Sequence, residues 1–514
     1  MLCLLSINCN DRHYGLGVYL LAAMVRRHRP EWPLRVLNLP VQTTPRQLLF
    51  ELMAEPARVY GFSVHHGHGP LVLQLARDLR RLQPDAVIVV GGTDVVALDP
   101  DEMAADIDWC VVGEGEAPLL ALLDAVARGQ PPAAGQGLLR PRELHPGLPL
   151  RQAQREQLDE LPSPYLDGVF DAHDRYPTVY VETYRGCVWN CSFCYEGRGR
   201  KRIASYSRGR IEAELGHLLA DPRVRRIEFY DTIFNVERER TRWLLDFLIA
   251  HNRHGTRLIG EFMLEWLDDE EIARLDASGF EMIEVGLQSV KQRTLQRSGR
   301  KTDLARFDER ARAVLSRTAV DLCIDAMYGL EDETLDDFLA TVDHLGTLEG
   351  TNGRRPTPIL FTTRVHPGTR LHRRRAIHMV LDGGQDGTPL ASPSLSLAET
   401  EAFHALFHGY LVLRGTCPRT MNDISGVFAR LGGVPLSRLH AGVARVLRRQ
   451  PSTRLLFDQV DWTEFRANRL LRFYLSAIDR AYLHAVAEEL GVADAPGLRA
   501  ALQALIERED RADA

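Results

Sequence analysis

Short apolar runs alternate with amphipathic stretches over the first 128 residues. The runs are Leu2–Ile7, Leu34–Leu39, Val59–Phe62, Ala86–Val90 and Trp109–Val112, and segments of helical period lie near 17–28, 46–54, 70–82, 100–105 and 116–128. Continuous apolar strands separated by helices predict a parallel sheet covered on both faces. Small or acidic residues follow the strand ends: Ser63, Gly67 and Gly69; Gly91, Gly92 and Thr93; then Gly113, Glu114, Gly115 and Glu116. Ligands of open parallel sheets bind at such turns.

From 131 to 175 the chain is rich in proline and glycine and has no sustained period, which predicts a linker. A second alternating series follows, with strands expected at Thr178–Thr183, Arg226–Tyr230, Leu258–Phe262, Met282–Leu287, Leu322–Met327 and Ile359–Thr363 and helices at 237–250, 268–277 and 333–345. Six such units fit an open partial barrel better than a closed eightfold one. Beyond about 386 the apolar residues keep a helical period (Phe403, Leu406, Phe407, Tyr410, Leu411; Leu470, Leu471, Tyr474, Leu475). The α/β chain thus divides into a Rossmann-like or flavodoxin-like domain (1–130), a linker (131–175), a partial (β/α)6 barrel (176–385) and a helical domain (386–514).

The 514 residues suit several domains rather than one core. A net charge of -6 gives no electrostatic reason to expect nucleic acid, and clusters such as Arg373, Arg374 and Arg375 read as solvated faces. No apolar run is long enough for a bilayer, and the amino terminus reads as a buried strand without a leader, so the expected location is cytoplasmic. Eight cysteines are too few for a disulfide framework, and clustered cysteines in a reducing compartment point to metal or redox chemistry.

Three of them, Cys187, Cys191 and Cys194, stand at Cx3Cx2C spacing directly after a strand, where a loop is expected. Three thiolates supply three of the four ligands of an iron–sulfur cube and leave one iron open. The alternatives are a zinc site completed by histidine, or cysteines buried as small hydrophobes. A zinc ribbon requires a second ligand pair nearby, whereas the next cysteine is Cys323.

With the aromatic Phe193 before its third cysteine, the segment resembles the radical S-adenosylmethionine (SAM) superfamily. The resemblance implies a [4Fe–4S] cluster whose open iron binds the amino and carboxylate groups of SAM, and one-electron cleavage to a 5′-deoxyadenosyl radical. It extends along the barrel. Asp231, in the segment Glu228 to Phe234, matches the place that receives the methionine amino group; the usual Gly-Gly-Glu is absent. Glu261 falls near substrate or nucleoside contacts. Gly286, Leu287, Gln288 and Ser289, followed by Leu295, Gly299 and Arg300, are typical of the family: Gln288 and Ser289 are expected at the ribose or methionine end and Arg300 at the carboxylate. Met327 and the turn Gly329 to Thr334 match the strand and turn beside the adenine, and Val365 to Thr369 closes the series.

The first domain is similar to the cobalamin-binding domain that precedes this barrel in one branch of the superfamily. Gly15 to Gly17, Tyr60 to Ser63, Val89 to Thr93 and Val112 to Glu116 carry that similarity. Ser63, Gly91, Gly92, Thr93, Gly113, Glu114 and Glu116 are the implied cobalamin contacts, since small residues let a flat corrin approach the backbone. Asp11 and His13 resemble part of a histidine-ligand turn with altered glycine spacing, and His65, His66 and His68 lie at a strand end; none is assigned as a metal ligand.

The combination implies a methyltransferase acting on an unactivated carbon, or on a phosphinate, through the 5′-deoxyadenosyl radical and methylcobalamin. Radical ring rearrangement and oxidative cyclisation are alternatives within the architecture, and an inactive cluster-bearing binding or regulatory protein is the alternative outside it. The implied partners are a small-molecule, peptide or carrier-tethered substrate and an electron donor such as flavodoxin or ferredoxin, with no nucleic acid or membrane.

Overall fold

The computed structural model describes residues 1–8, 12–65, 67–133, 137–148, 155–171, 173, 175–196, 203–375, 380–381, 387–454, 474–475 and 477–513. The chain forms two compact units. One comprises Met1–Glu261, Arg364–Ile377 and Asp382–Gly387, the other Phe262–Thr363, His378–Leu381 and Thr388–Ala514.

The first unit opens with β1 (Leu2–Asn8), α1 (Leu16–His28), β2 (Leu34–Pro40), α2 (Pro45–Ala54), β3 (Val59–Ser63), α3 (Gly69–Leu82), β4 (Val87–Gly91), α4 (Pro100–Met103), β5 (Trp109–Val111) and α5 (Glu116–Arg128). All five expected strands and five helices are present. The strand pleat sorts the apolar residues into two cores. Cys3, Leu5, Ile7, Tyr60, Phe62, Ile88 and Val90 bury one face with Leu48, Leu52, Val72, Leu75 and Leu79 of α2 and α3. Leu2, Leu4, Val59, Val89 and Val111 bury the other with Val18, Ala22, Leu119 and Leu122 of α1 and α5. Both faces being covered explains why these strands read as unbroken apolar runs.

Strand order is β2-β1-β3-β4-β5, closed by the antiparallel edge strand β6 (Leu138–Leu139). This is the flavodoxin-like order, whose direction of winding reverses between β1 and β3 and opens a crevice at the carboxyl strand ends there.

The stretch expected to be a linker is packed. Besides β6 it carries 3₁₀ turns at Pro141–Glu143 and Arg155–Glu160. Tyr165 and Phe170 are buried: the Tyr165 hydroxyl is 2.7 Å from that of Tyr14, and the Phe170 ring is 4.3 Å from the Tyr14 ring. Irregular backbone leaves no period to read, although its aromatic side chains enter a core.

The same unit continues with β7 (Thr178–Val181), a short antiparallel pair of β8 (Tyr184–Arg185) and β9 (Ala204–Ser205), α6 (Arg208–Ala220), β10 (Arg226–Phe229) and α7 (Arg238–His251). β11 (Arg257–Phe262) reaches the boundary, and β7, β10 and β11 pair in parallel, with Tyr180 opposite Glu228 and Ile227 opposite Leu258.

The second unit holds α8 (Asp269–Ser278), β12 (Phe280–Gln288), α9 (Gln292–Ser298), α10 (Leu304–Arg317), β13 (Asp321–Tyr328), α11 (Leu335–Leu345) and β14 (Thr357–Thr362). Its strands are parallel in the order β12-β13-β14. All six expected strands of the second series therefore form. α12 (Arg370–Arg375) belongs to the first unit.

The carboxyl-terminal region is helical as expected, with α13 (Leu397–Thr416), α14 (Met421–Gly432), α15 (Leu436–Arg449) and the helices Tyr482–Glu489 and Leu498–Asp513. One short strand, Pro389–Ala391, departs from the helical expectation and pairs with Val380–Leu381. Leu470 and Leu471 lie outside the described residues. α13 is bound to the β13 layer: the Phe403 ring stacks on Tyr328 at 3.7 Å, and the Tyr410 hydroxyl donates to the Pro358 carbonyl at 3.1 Å.

Candidate active site

Cys187, Cys191 and Cys194 occupy an irregular loop entered through β8. Gly186 turns the chain into it at φ +101°, a conformation that favours glycine. The loop's carbonyls are gripped from other elements. The Thr232 hydroxyl donates to Gly186 O at 2.9 Å, the Arg370 guanidinium to Asn190 O at 2.6 Å, and the Leu371 amide to Ser192 O at 2.9 Å. The ring of Tyr195 meets His366 edge-on at 5.6 Å, and Phe193 is half-buried. Burial pushes the Cys194 thiol up to about 12, and the charges of Cys191, Glu196 and Cys187 add to the rise, so the sulfurs lie within each other's field.

The donor set fits an iron–sulfur cube: three thiols and no competing hard ligand in the motif, on a backbone held from outside. Among the described residues no three His, Cys, Asp or Glu side chains converge as on a single metal ion. A cube does not require that convergence, because each thiolate meets a different iron.

Asp231 follows β10, at the strand end where the resemblance puts it. The residue is buried, and Oδ1 accepts the amides of Thr183 at 2.7 Å and Tyr184 at 3.3 Å. Oδ2 accepts from Arg240 at 2.8 Å and from the Thr183 hydroxyl. Both oxygens are engaged, and through them Asp231 anchors the chain between β7 and β8. Those bonds also end β7 at Val181, two residues before the expected end. Glu261 closes β11 as an exposed residue, and its charge acts on Tyr195 of the cysteine loop.

Glu114 and Glu116, expected at cobalamin, reach Arg185. The guanidinium lies 2.8 Å from Glu116, 3.7 Å from Glu114 and 2.7 Å from Glu182, whose carboxylate also accepts the Tyr206 hydroxyl at 2.7 Å. Burial opposes the charge on Arg185, but Glu182 and Glu116 outweigh it and hold the guanidinium protonated. Arg185 stands beside the cysteine motif in the sequence, yet nothing in the motif announces carboxylates from the first sheet.

The remaining turns of that sheet suit a flat ligand. Gly92 has φ +113°, and a Cβ there would fall 2.4 Å from Val64 O, so only glycine lets the β3 and β4 turns meet. Gly113, at φ +94°, turns the chain after β5. Ser63 and Thr93 are bridged by His65, whose Nε2 is 2.9 Å from the Ser63 hydroxyl and whose Nδ1 is 3.5 Å from that of Thr93. Burial lowers the His65 pKa, favouring the neutral ring, and both ring nitrogens face hydroxyls. His13 bonds the Tyr180 hydroxyl through Nδ1, and His68 stands at the start of α3. Asp11 and His66 lie outside the described residues.

In the second unit, Gly286, Gln288, Ser289 and Arg300 come together. Gln288 is buried at φ +70°, and its Oε1 has no hydrogen-bond partner among the described residues. A polar ligand would relieve that orphaned acceptor. One Arg300 nitrogen donates to Gly286 O at 2.6 Å, and both terminal nitrogens lie within 3.5 Å of where a Gly286 Cβ would stand. Met327, half-buried on β13, follows the partly exposed Asp325 on the same strand face.

Behind Ser289, Glu333 accepts the Gly329 amide at 3.1 Å and the Leu330 amide at 3.4 Å. Burial pushes its carboxyl up to about 8, against lowering by the Ser289 hydroxyl and these amides. An acid with a folded value above its unfolded one takes up a proton on folding, so its contribution to stability is fullest below about 4.5 and declines as pH rises toward 8. Glu333→Gln removes that decline. Melting curves at pH 5 and pH 8 should show the variant gaining on the parent by on the order of 2–4 kcal/mol over that interval. A constant difference would mean that Glu333 titrates normally.

Known proteins bear on these two sets of residues. The family model of the B12 binding domain matches residues 4–123, and that of the radical SAM superfamily matches 181–345. An uncharacterized methyltransferase of Pyrococcus horikoshii is 24% identical over 58% of this chain and 64% of its own length. The hopanoid C-3 methylase of Methylococcus capsulatus is 30% identical over 35% of each chain. The chain thus spans less than two thirds of either relative. The structure of the cobalamin-dependent SAM radical enzyme OxsB, with aqua-cobalamin and SAM bound, shares the fold with a TM-score of 0.64 at 14% identity, over 99% of this chain and 83% of that one. The chain therefore carries a B12 binding domain followed by a domain of the radical SAM superfamily.

Proposed function

We propose that the protein is a C-methyltransferase acting on an unactivated carbon of a biosynthetic intermediate. The observation that carries this reading is that one compact unit holds both the turns suited to a corrin and the cysteine loop, joined through Arg185. Two one-carbon-transfer relatives, one of them a hopanoid C-3 methylase, support it.

Cys187, Cys191 and Cys194 hold the cluster. Gln288, Ser289, Arg300 and Met327 receive SAM. Ser63, Gly91, Gly92, Thr93 and Gly113 line the corrin. When bound, these cofactors supply a radical able to remove hydrogen from carbon and a methyl group to replace it. The protein's own part is to orient the partners and exclude water. In domain terms, 1–130 carries cobalamin, 131–175 connects, 176–385 carries the radical chemistry and 386–514 is a helical domain. No described helix is long and apolar enough to cross a membrane. A cytoplasmic enzyme, reduced by flavodoxin or ferredoxin and acting on a small, peptide or carrier-tethered substrate, completes the proposal.

The test is anaerobic purification from cells supplied with cobalamin, followed by metal analysis and an absorption spectrum. About four iron and about one cobalt per chain are expected. Iron without cobalt would favour radical rearrangement or oxidative cyclisation, and zinc in place of iron would overturn the radical assignment. An inert binding protein would hold both cofactors yet never cleave SAM.

A further inference from the structure

We propose that Arg185 is a positioning residue that pins the cysteine loop to the carboxyl edge of the first sheet, and that the acidic turn after β5 exists to hold this arginine rather than the corrin. The inference rests on reading the loop as the cluster site.

The geometry is that of a clasp. Arg185 lies two residues before Cys187, with its side chain 9% exposed. Glu114 reaches it from the turn between β5 and α5, Glu116 from the first residue of α5, and Glu182 from just beyond β7. Two Arg185 nitrogens share Glu182 Oε1, at 2.9 and 2.7 Å, and Tyr206 donates to the same oxygen at 2.7 Å. Glu116 sits in the first turn of α5, where the helix dipole favours a carboxylate and fixes its direction. The planar guanidinium matches this task, since each face of its fork meets a carboxylate from a different strand end. Among the described residues Arg185 is the cation these three carboxylates share, so removing it takes away the link that ties the root of the loop to the turn after β5 and the end of β7. Position of the thiols, not their identity, is what the clasp sets.

The experiment uses the full chain loaded with both cofactors. It measures the rate of iron loss to a chelator, the electron paramagnetic resonance signal of the reduced cluster with and without SAM, and cobalt per chain. In Arg185→Met, iron should leave about 10–100 times faster, as when the residues that orient metal ligands are lost. The change of signal on adding SAM should disappear while cobalt stays at the parental value. Glu116→Gln should move iron loss in the same direction by a smaller factor, and the double variant should fall short of the product of the two. Arg185→Lys, which keeps the charge without the fork, should recover part of the loss.

Iron retention and SAM response equal to the parent in all variants would overturn the clasp. Loss of cobalt with intact iron in Glu116→Gln would return the acidic turn to the corrin and overturn it equally. If Arg185→Met does not fold, Glu116→Gln and Arg185→Lys decide by the same readouts. A parent that binds no iron refutes the cluster reading itself, before any variant is made.

Discussion

Cys191→Ala should purify without its iron while keeping its cobalt. Cys191 is buried in the loop, and its carbonyl accepts the Cys194 amide at 3.3 Å. Three thiolates hold three irons of a cube; removing one leaves two irons without a protein ligand, and such a cube does not survive exposure to water. Iron should fall from about four to below about one per chain, and formation of 5′-deoxyadenosine from SAM should fall to background. The corrin turns stand on other strand ends, so cobalt is the internal control for folding. Cys323→Ala supplies the second control: Cys323 is buried in β13 and is not part of the motif, and its replacement should leave iron unchanged. Retention of iron in Cys191→Ala would mean that the motif is not the cluster site.

The elements were legible because burial on both sheet faces imposes a simple code. A parallel strand covered twice must be apolar throughout, and the period changes visibly where a helix begins. The packed stretch around Tyr165 and Phe170 escaped that code, since its backbone follows no period and its aromatics reach the core singly. Side-chain partnerships were less legible, for a related reason. A sequence locates a carboxylate at a strand end but not the cation that will meet it. Glu114 and Glu116 looked like ligand contacts because their turn lies where ligands bind, and they meet Arg185 because the second series of strands brings β8 there. The cysteine spacing was legible without any of this, as here the three thiols a cube would take stand within eight residues of one another.

Asp231 separates an anchoring role from a ligand role most sharply. Asp231→Ala removes one member of a buried pair and leaves Arg240, 7% exposed, without its carboxylate, and two amides of the β7–β8 connection without an acceptor. Breaking a buried pair from one side costs about 3–5 kcal/mol. The apo-protein, free of SAM and cluster, should therefore melt well below the parent. Replacing both partners, Asp231→Leu with Arg240→Met, should cost much less than the sum of the single changes, because no charge is then left stranded. A ligand role predicts the opposite pattern: apo-stability untouched, affinity for SAM reduced, and no relief from the change at Arg240. Melting curves of the apo-proteins (parent, Asp231→Ala, Asp231→Asn, Asp231→Leu, Arg240→Met and the double variant), read beside SAM binding to the reconstituted parent and Asp231→Asn, decide between them. Asp231→Asn keeps an acceptor for the amides but discards the charge, so it should fall between the parent and Asp231→Ala in stability. An unchanged melting temperature in Asp231→Ala would restore the carboxylate to the methionine amino group.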